Sequence, residues 1–409
     1  MQKKTVINDA FLNEIISIES YSMTGKAECS DRIARELSGM GFQVRMVTDY
    51  GAPIILATYN AKADKNILFY MHYDVKPAGD ISAWNTSPFQ LHYDIQKDKF
   101  YGRGTGDDKG QIYAVITGIR EVIHSHMSLN YNISIVIEGD EENGSPGLRA
   151  FAEKELGENI YNKVIVFDSH WLMNHPVIFL GCRGQLDIAI KYTDEKMEND
   201  YHAGNFGGLY EGACSYLLKV MGKLLTDITN IVNIANETIR TERNKATRAS
   251  QTSDIMNAVS MTYFSSGNAS RSLIPKEAIA RIDVRYLEDE TADEVLELLD
   301  YYSKTCGVTY EIKQREDGMH NSADAQEIAF LKDIIEQVTS LDVKVMDYCG
   351  AYLPLRKIQS VHGVKYVIPI AQTDENNHAP NENISVGNIL YGIEITKRIL
   401  TFKSKRMES

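Results

Sequence analysis

No stretch of the 409-residue sequence is apolar for long enough to span a bilayer. Met1 to Ser20 carries lysines but no unbroken apolar core of the kind a secretory leader needs. Phe11, Leu12, Ile15 and Ile16 instead mark one face of a helix there. Five cysteines, Cys29, Cys182, Cys214, Cys306 and Cys349, are scattered without a Cys-x-x-Cys pair. That odd, dispersed set argues against a disulfide framework and for a reducing cytoplasm. A basic excess is missing too. The net charge of −13 argues against nucleic acid or an anionic membrane as the main partner. The phosphate-loop spacing Gly-x-x-x-x-Gly-Lys-Ser/Thr is also absent.

What is present is organised around Tyr101-Gly-Arg-Gly-Thr-Gly-Asp-Asp-Lys-Gly110. Its glycines allow a tight turn, and Asp107 and Asp108 then stand at the mouth of a helix marked by Ile112, Val115, Ile116, Ile119, Val122 and Ile123. Three apolar runs read as buried strands, and each ends in acids or histidine. Ile67–Met71 leads to His72 and Asp74, Ile133–Ile137 to Glu138-Gly-Asp-Glu141-Glu142, and Val164–Phe167 to Asp168. Strands alternating with helices imply an α/β sheet covered on both faces, with the ligand site beyond the carboxyl ends of the strands. Further helices are expected from a cap at Ser30, from a Thr291–Glu294 capping box and over Val386–Leu400.

Two domains are expected at this length. Residues 1–184 and 316–409 read as a mixed-sheet αβα domain. Residues 185–315, in the order β-α-β-β-α-β, read as a ferredoxin-like insert. The polar stretch Thr238–Asp254 reads as a helix extension or loop on that insert.

His72 and Asp74 leave a strand end on the same face, so Asp74 can hold one imidazole nitrogen while the other binds metal. His72, Asp107, Glu142, Asp168 and His378 make a thiolate-free set that suits zinc, cobalt or manganese better than calcium or magnesium. They are more ligands than one tetrahedral ion needs, whereas two ions about 3.5–4 Å apart sharing a carboxylate would use them all. Glu141 would then be free to act as general base. Each feature also has a plain reading: Asp107-Asp108 as a helix cap, Glu141-Glu142 as a solvated acidic turn. His92, His124, His126, His170, His175, His320 and His362 are expected to be surface or satisfied histidines.

His72-x-Asp74-Val75-x-Pro77, Gly102-Arg103-Gly104 with Asp107-Asp108-Lys109-Gly110, Asp140-Glu141-Glu142-x-Gly144-Ser145 and His378-x-Pro380-Asn381-Glu382 together resemble the dinuclear zinc peptidases. That family includes glutamate carboxypeptidase, carnosine-type dipeptidases, aminoacylase, acetylornithine deacetylase and succinyl-diaminopimelate desuccinylase. The stretch Val164–Gly184 is most similar to its dipeptidase branch.

The resemblance implies that Asp107 bridges two metals, with His72 and Asp168 on one and Glu142 and His378 on the other. Glu141 would be the base and Asp74 the residue orienting His72. The insert would be a lid and dimerisation domain, with His202 in Asp200-Tyr-His-Ala-Gly204 as a catalytic donor. Ser272, Pro275 and Arg285 would lie around the substrate carboxylate, and His202 and Gly350 would also bind substrate. Where the family has Gly-Gly-Ser/Thr-x-Pro, this chain has Cys349-Gly350-Ala351-Tyr352-Leu353-Pro354, which bears on the substrate more than on the reaction.

The expected activity is metal-dependent hydrolysis of a small peptide or N-acyl amino acid by a cytoplasmic homodimer. Amide formation or acyl transfer on the same fold, or an inactive binding homologue, are the competing readings.

Overall fold

The structure is a computed structural model that describes residues 10–157, 159–246, 256–266 and 272–402. They form two compact units. The first takes the described residues of Met1–Gly181, Asn321–Asp347 and Lys357–Ser409; the second takes those of Cys182–His320 and Tyr348–Arg356. Tyr348–Arg356 thus packs with the second unit, although it falls within the stretch expected with the first.

The first unit is built on an eight-stranded mixed sheet in the order Gln43–Val47, Ile54–Tyr59, Asn132–Glu138, Asn66–His72, Ile160–Val166, His362–Val367, Val177–Phe179 and Lys344–Met346. The three runs read from the sequence as buried strands are adjacent and mutually parallel. Toward their carboxyl ends all three are buried on both faces, and the residues there are almost all apolar rather than alternating. Parallel pairing sets His72 opposite Glu138 and Tyr70 opposite Val166. Residues just beyond the three carboxyl ends therefore gather at one edge of the sheet.

The helix Lys109–His124 leaves the glycine-rich turn and packs along the last helix, Val386–Thr401. Gly118 permits that approach. A Cβ there would lie 2.7 Å from the Ile393 carbonyl oxygen and 2.9 Å from Thr396 Cβ. A small sheet of His92–Asp94, Lys99–Tyr101 and Asn383–Ser385 joins the segment after His378 to the strand entering the glycine-rich turn. Its three-residue strands are too short to leave an alternation signal, and sequence reading misses them.

Two helices begin earlier than expected. The first runs Met23–Gly39 and is capped by Ser22, whose side chain accepts from the Gly25 N–H, while Ser30 is buried within the helix. The second runs Asp289–Cys306 with Glu288 at the N-cap and no side-chain cap. Thr291 is buried in its first turn, so packing there overrides the capping-box pattern.

In the second unit the antiparallel sheet order is Ala258–Ser265, Glu277–Tyr286, Gly184–Thr193 and Thr309–Glu316. Along Glu277–Tyr286 every second residue is buried, from Ala278 to Tyr286, against the helices Ala213–Ala246 and Asp289–Cys306. Of the polar stretch Thr238–Asp254, residues to Ala246 continue the first of these helices; 247–254 lie outside the described residues. Among the described residues no helix is long and apolar enough to cross a membrane.

Gly118→Val should destabilise the protein by about 1–3 kcal/mol, because the added methyls meet backbone and a packed Thr396 rather than open space. A denaturant midpoint equal to that of the parent would show that the helix pair tolerates separation.

Candidate metal centre

The first unit brings all five expected ligands together in two overlapping groups. His72, Asp107 and Asp168 offer ligand atoms within 4.8 Å of one another, and so do Asp107, Glu142 and His378. Asp107 belongs to both. Its Oδ1 is 2.9 Å from His72 Nε2, and its Oδ2 is 3.0 Å from His378 Nε2. Glu142 Oε1 lies 3.0 Å from His378 Nε2, and Asp168 Oδ2 lies 3.8 Å from His72 Nε2.

The donor set fits divalent ions. Asp168 Oδ2 is buried and accepts no hydrogen bond from any described residue. Glu142 Oε1 is buried as well and, though close to His378, lacks hydrogen-bond alignment. Buried acceptors left in this state cost about 1–3 kcal/mol each, and a cation between them would satisfy both. Asp108 holds the N-cap position without capping; its Oδ2 instead accepts the His72 backbone N–H at 3.3 Å. The plain helix-cap reading of the paired aspartates fails on that contact.

Polar groups around the cluster hold His72, Asp107 and Glu142 in place. Asp74 Oδ1 is 3.4 Å from His72 Nδ1, and its two oxygens accept the backbone N–H groups of Glu141 and Glu142 at 3.2 and 3.1 Å. The Asp74 carbonyl lies 3.2 Å from the same Nδ1, so this one residue fixes both a histidine and the acidic turn. Glu382 Oε1 accepts the Gly106 and Asp107 N–H groups, each at 3.0 Å, while its other oxygen pairs with Arg103 at 2.6 Å. Arg103 Nη2 reaches the carbonyls of Pro77 and His378. Lys76 Nζ is 3.2 Å from Glu142 Oε2. Sequence reading quoted Arg103 and Glu382 inside motifs without giving them roles, and passed over Lys76 altogether. The motif pattern was the available signal for the first two.

The electrostatics of the cluster favour positive charge. Burial opposes protonation of His72, but the carboxylates of Asp107 and Asp74 outweigh it and hold the pKa well above the usual imidazole value. Asp107 and Glu142 push His378 up to about 10. Burial works against the charge on Asp107, yet the two imidazoles hold its pKa far below the usual carboxylate range. Burial lifts Asp168 to about 6, His72 opposing and Asp107 adding. Burial also drives Glu141 well above the usual range; His72 opposes this, and Asp168, Glu142 and Asp107 reinforce it. Of the histidines set aside earlier, His170 is half-buried with Nδ1 2.8 Å from the Trp171 carbonyl, and the other six are exposed.

The remaining expected residues lie in the second unit. His202 is exposed on the two-residue strand Tyr201–His202, paired with Leu273–Ile274, and Ser272 is next in line through the Ala203 N–H to Ser272 O bond of 2.7 Å. Arg285 lies on another sheet. Its Nε and Nη2 donate to Asp283 at 2.7 and 3.2 Å. The Gly350 carbonyl accepts from both Nε and Nη2 of Arg183.

The profile of peptidase family M20/M25/M40 matches residues 68–401, and the chain belongs to that family. The Cys-Gly metallodipeptidase DUG1 of Candida albicans is 37% identical over 205 residues, covering 46% of this chain and 40% of that protein. The probable di- and tripeptidase DUG2 of Saccharomyces cerevisiae is 25% identical over 97% of this chain and 51% of its own length. The chain thus spans about half, or less, of the length of these relatives. Among solved structures, the M20 family metallo-carboxypeptidase Sso-CP2 of Sulfolobus solfataricus superposes with a TM-score of 0.77 at 23% identity, covering 95% of this chain and 98% of that one. This last likeness establishes a shared fold.

An imidazole must shed its proton before it can coordinate. With His378 protonated up to about 10, metal uptake near neutral pH should release protons, and affinity should rise as pH rises from the ordinary imidazole value of about 6.5 towards 10. Calorimetric titration of chelator-treated protein in two buffers of different ionisation enthalpy measures this. Uptake without proton release would show that the imidazoles are already neutral before the metal binds, and that the raised pKa of His378 does not hold.

Proposed function

We propose that the chain hydrolyses an amide bond next to a free carboxylate, in a dipeptide or N-acyl amino acid, using two zinc ions. His72 and Asp168 would hold one, Glu142 and His378 the other, and Asp107 both. The observation that carries this reading is the sharing of Asp107 between two ligand groups beside an acidic turn anchored by Asp74. When bound, the ions would polarise the scissile carbonyl and acidify the attacking water.

The chain's own residues do the rest. Asp74 occupies the Nδ1 side of His72, so that Nε2 faces the cluster. Glu141 takes the proton of the attacking water and returns it to the leaving amine. His202 donates to the developing oxyanion. Arg285, steadied by Asp283, offers the free edge of its fork to the substrate carboxylate, alongside Ser272 and Gly350. The second unit acts as lid and as the dimer surface, and the enzyme works in the cytoplasm.

A zinc-loaded preparation offered Cys-Gly, β-Ala-His, other dipeptides and N-acyl amino acids should turn over at least one class. Failure on every member at full metal occupancy would favour the amide-forming or binding readings. Glu141→Gln should lose about 10²–10⁴-fold in kcat with metal content retained. Mixing the inactive His202→Ala and Glu141→Ala proteins should restore part of the activity, because a histidine delivered across the dimer leaves each mixed pair one intact site. If mixing restores nothing, His202 acts within its own chain.

A further inference from the structure

The far end of the turn carrying Glu141 and Glu142 is fastened by buried groups that the reaction itself does not use. Ser145 adopts a left-handed φ of 48°, and its N–H closes the turn onto the Asp140 carbonyl at 2.8 Å. Its hydroxyl donates to Glu138 Oε1 at 2.8 Å, and the Tyr70 hydroxyl donates to the same oxygen. Tyr70, Glu138 and Ser145 are at most 1% exposed.

Onto this frame comes Lys357, 8% exposed, whose ammonium donates to the carbonyls of both Gly144 and Ser145. These are charge-assisted bonds to the two peptide oxygens that follow the Glu141–Asn143 helical turn. An apolar side chain of equal volume could fill the space but could not orient the carbonyls. Lys357 is also the residue at which the chain returns to the first unit, directly after Tyr348–Arg356, the segment that carries Gly350.

We propose that Lys357 is a positioning residue. It sets the direction of Glu141 by fixing the carboxyl end of the acidic turn. The inference rests on the reading of Glu141 as general base. Misplacing a catalytic group by about 1 Å can cost about 10²-fold, so the clamp need move only slightly to matter.

Kinetics and metal analysis of Lys357→Met, Lys357→Arg, Glu141→Gln and the Lys357→Met/Glu141→Gln double variant test this. Lys357→Met should lower kcat by about 10²-fold while KM and metal content stay within about two-fold of the parent. Lys357→Arg, which can still donate to both carbonyls, should recover most of the loss. In the Glu141→Gln background Lys357→Met should add little, because a residue acting through Glu141 has nothing left to position. A purely structural lysine would give additive losses, and additivity overturns the proposal. So does a folded, metal-loaded Lys357→Met with kcat within two-fold of the parent. Should Lys357→Met fail to fold, Lys357→Gln, which keeps a polar tip but loses the charged donor to the two carbonyls, decides in the same cycle, with the same outcomes required. If Glu141→Gln alone stays active, the base assignment fails instead, and the two failures remain distinct.

Discussion

Asp107 stands between two imidazoles, one carboxylate oxygen toward each, and much of the first unit serves to hold it there. The glycine-rich turn delivers it, and the buried Arg103–Glu382 pair locks the turn. Glu382 grips the Gly106 and Asp107 amides while Arg103 reaches the exit of the His72 strand and the His378 carbonyl. Three segments distant in sequence are thereby tied to one ion pair. Taking two charges out of water is costly, so a buried pair like this one is better understood as fixing geometry than as adding net stability. Here the geometry fixed is that of the ligand cluster.

The same clustering accounts for the electrostatics. Asp107, Asp168, Glu141 and Glu142 crowd around the buried His72 and the half-exposed His378, and burial and mutual repulsion work against the charge on Asp168 and Glu141. The carboxylates of Asp107, Asp74 and Glu142 favour protonation of the two imidazoles. Divalent ions supply that positive charge more compactly and free the ring nitrogens to act as ligands. The histidine pKa shifts are thus another expression of the cation affinity that the orphaned oxygens of Asp168 and Glu142 reveal.

In the second unit, the Cys349–Pro354 loop is braced by side chains. Arg183 holds the Gly350 carbonyl with two donors and the Met256 carbonyl with a third. Cys349 turns its sulfur to the Ala351 carbonyl, and Cys182 to that of Leu353. The loop that departs from the usual glycine-hydroxyl pattern is therefore well braced in spite of its altered sequence. The departure changes the side chains of the loop and leaves its backbone held by Arg183, Cys182 and Cys349.

The sequence by itself determined that three apolar strands close in acids or histidine and that Asp107 stands in a glycine-rich turn before a helix. Apolar runs ending in His72, Glu138 and Asp168 can be read because a strand buried on both faces must be continuously apolar, and a polar residue at its end must leave the core. The alternation of Glu277–Tyr286 and the stripe of the last helix were legible for the same reason: periodicity records which face is buried. Sequence could not reveal that the three strands are neighbours, since pairing depends on contacts between residues far apart in the chain. Nor could it reveal that Asp74 serves the acidic turn as well as His72, or that Lys357 reaches back more than two hundred residues to Gly144. Local helix starts were misread where burial overrode capping preference, as at Ser30 and Thr291. Residue chemistry is written locally, whereas the distances that turn it into a site are set by packing, and packing belongs to the whole fold.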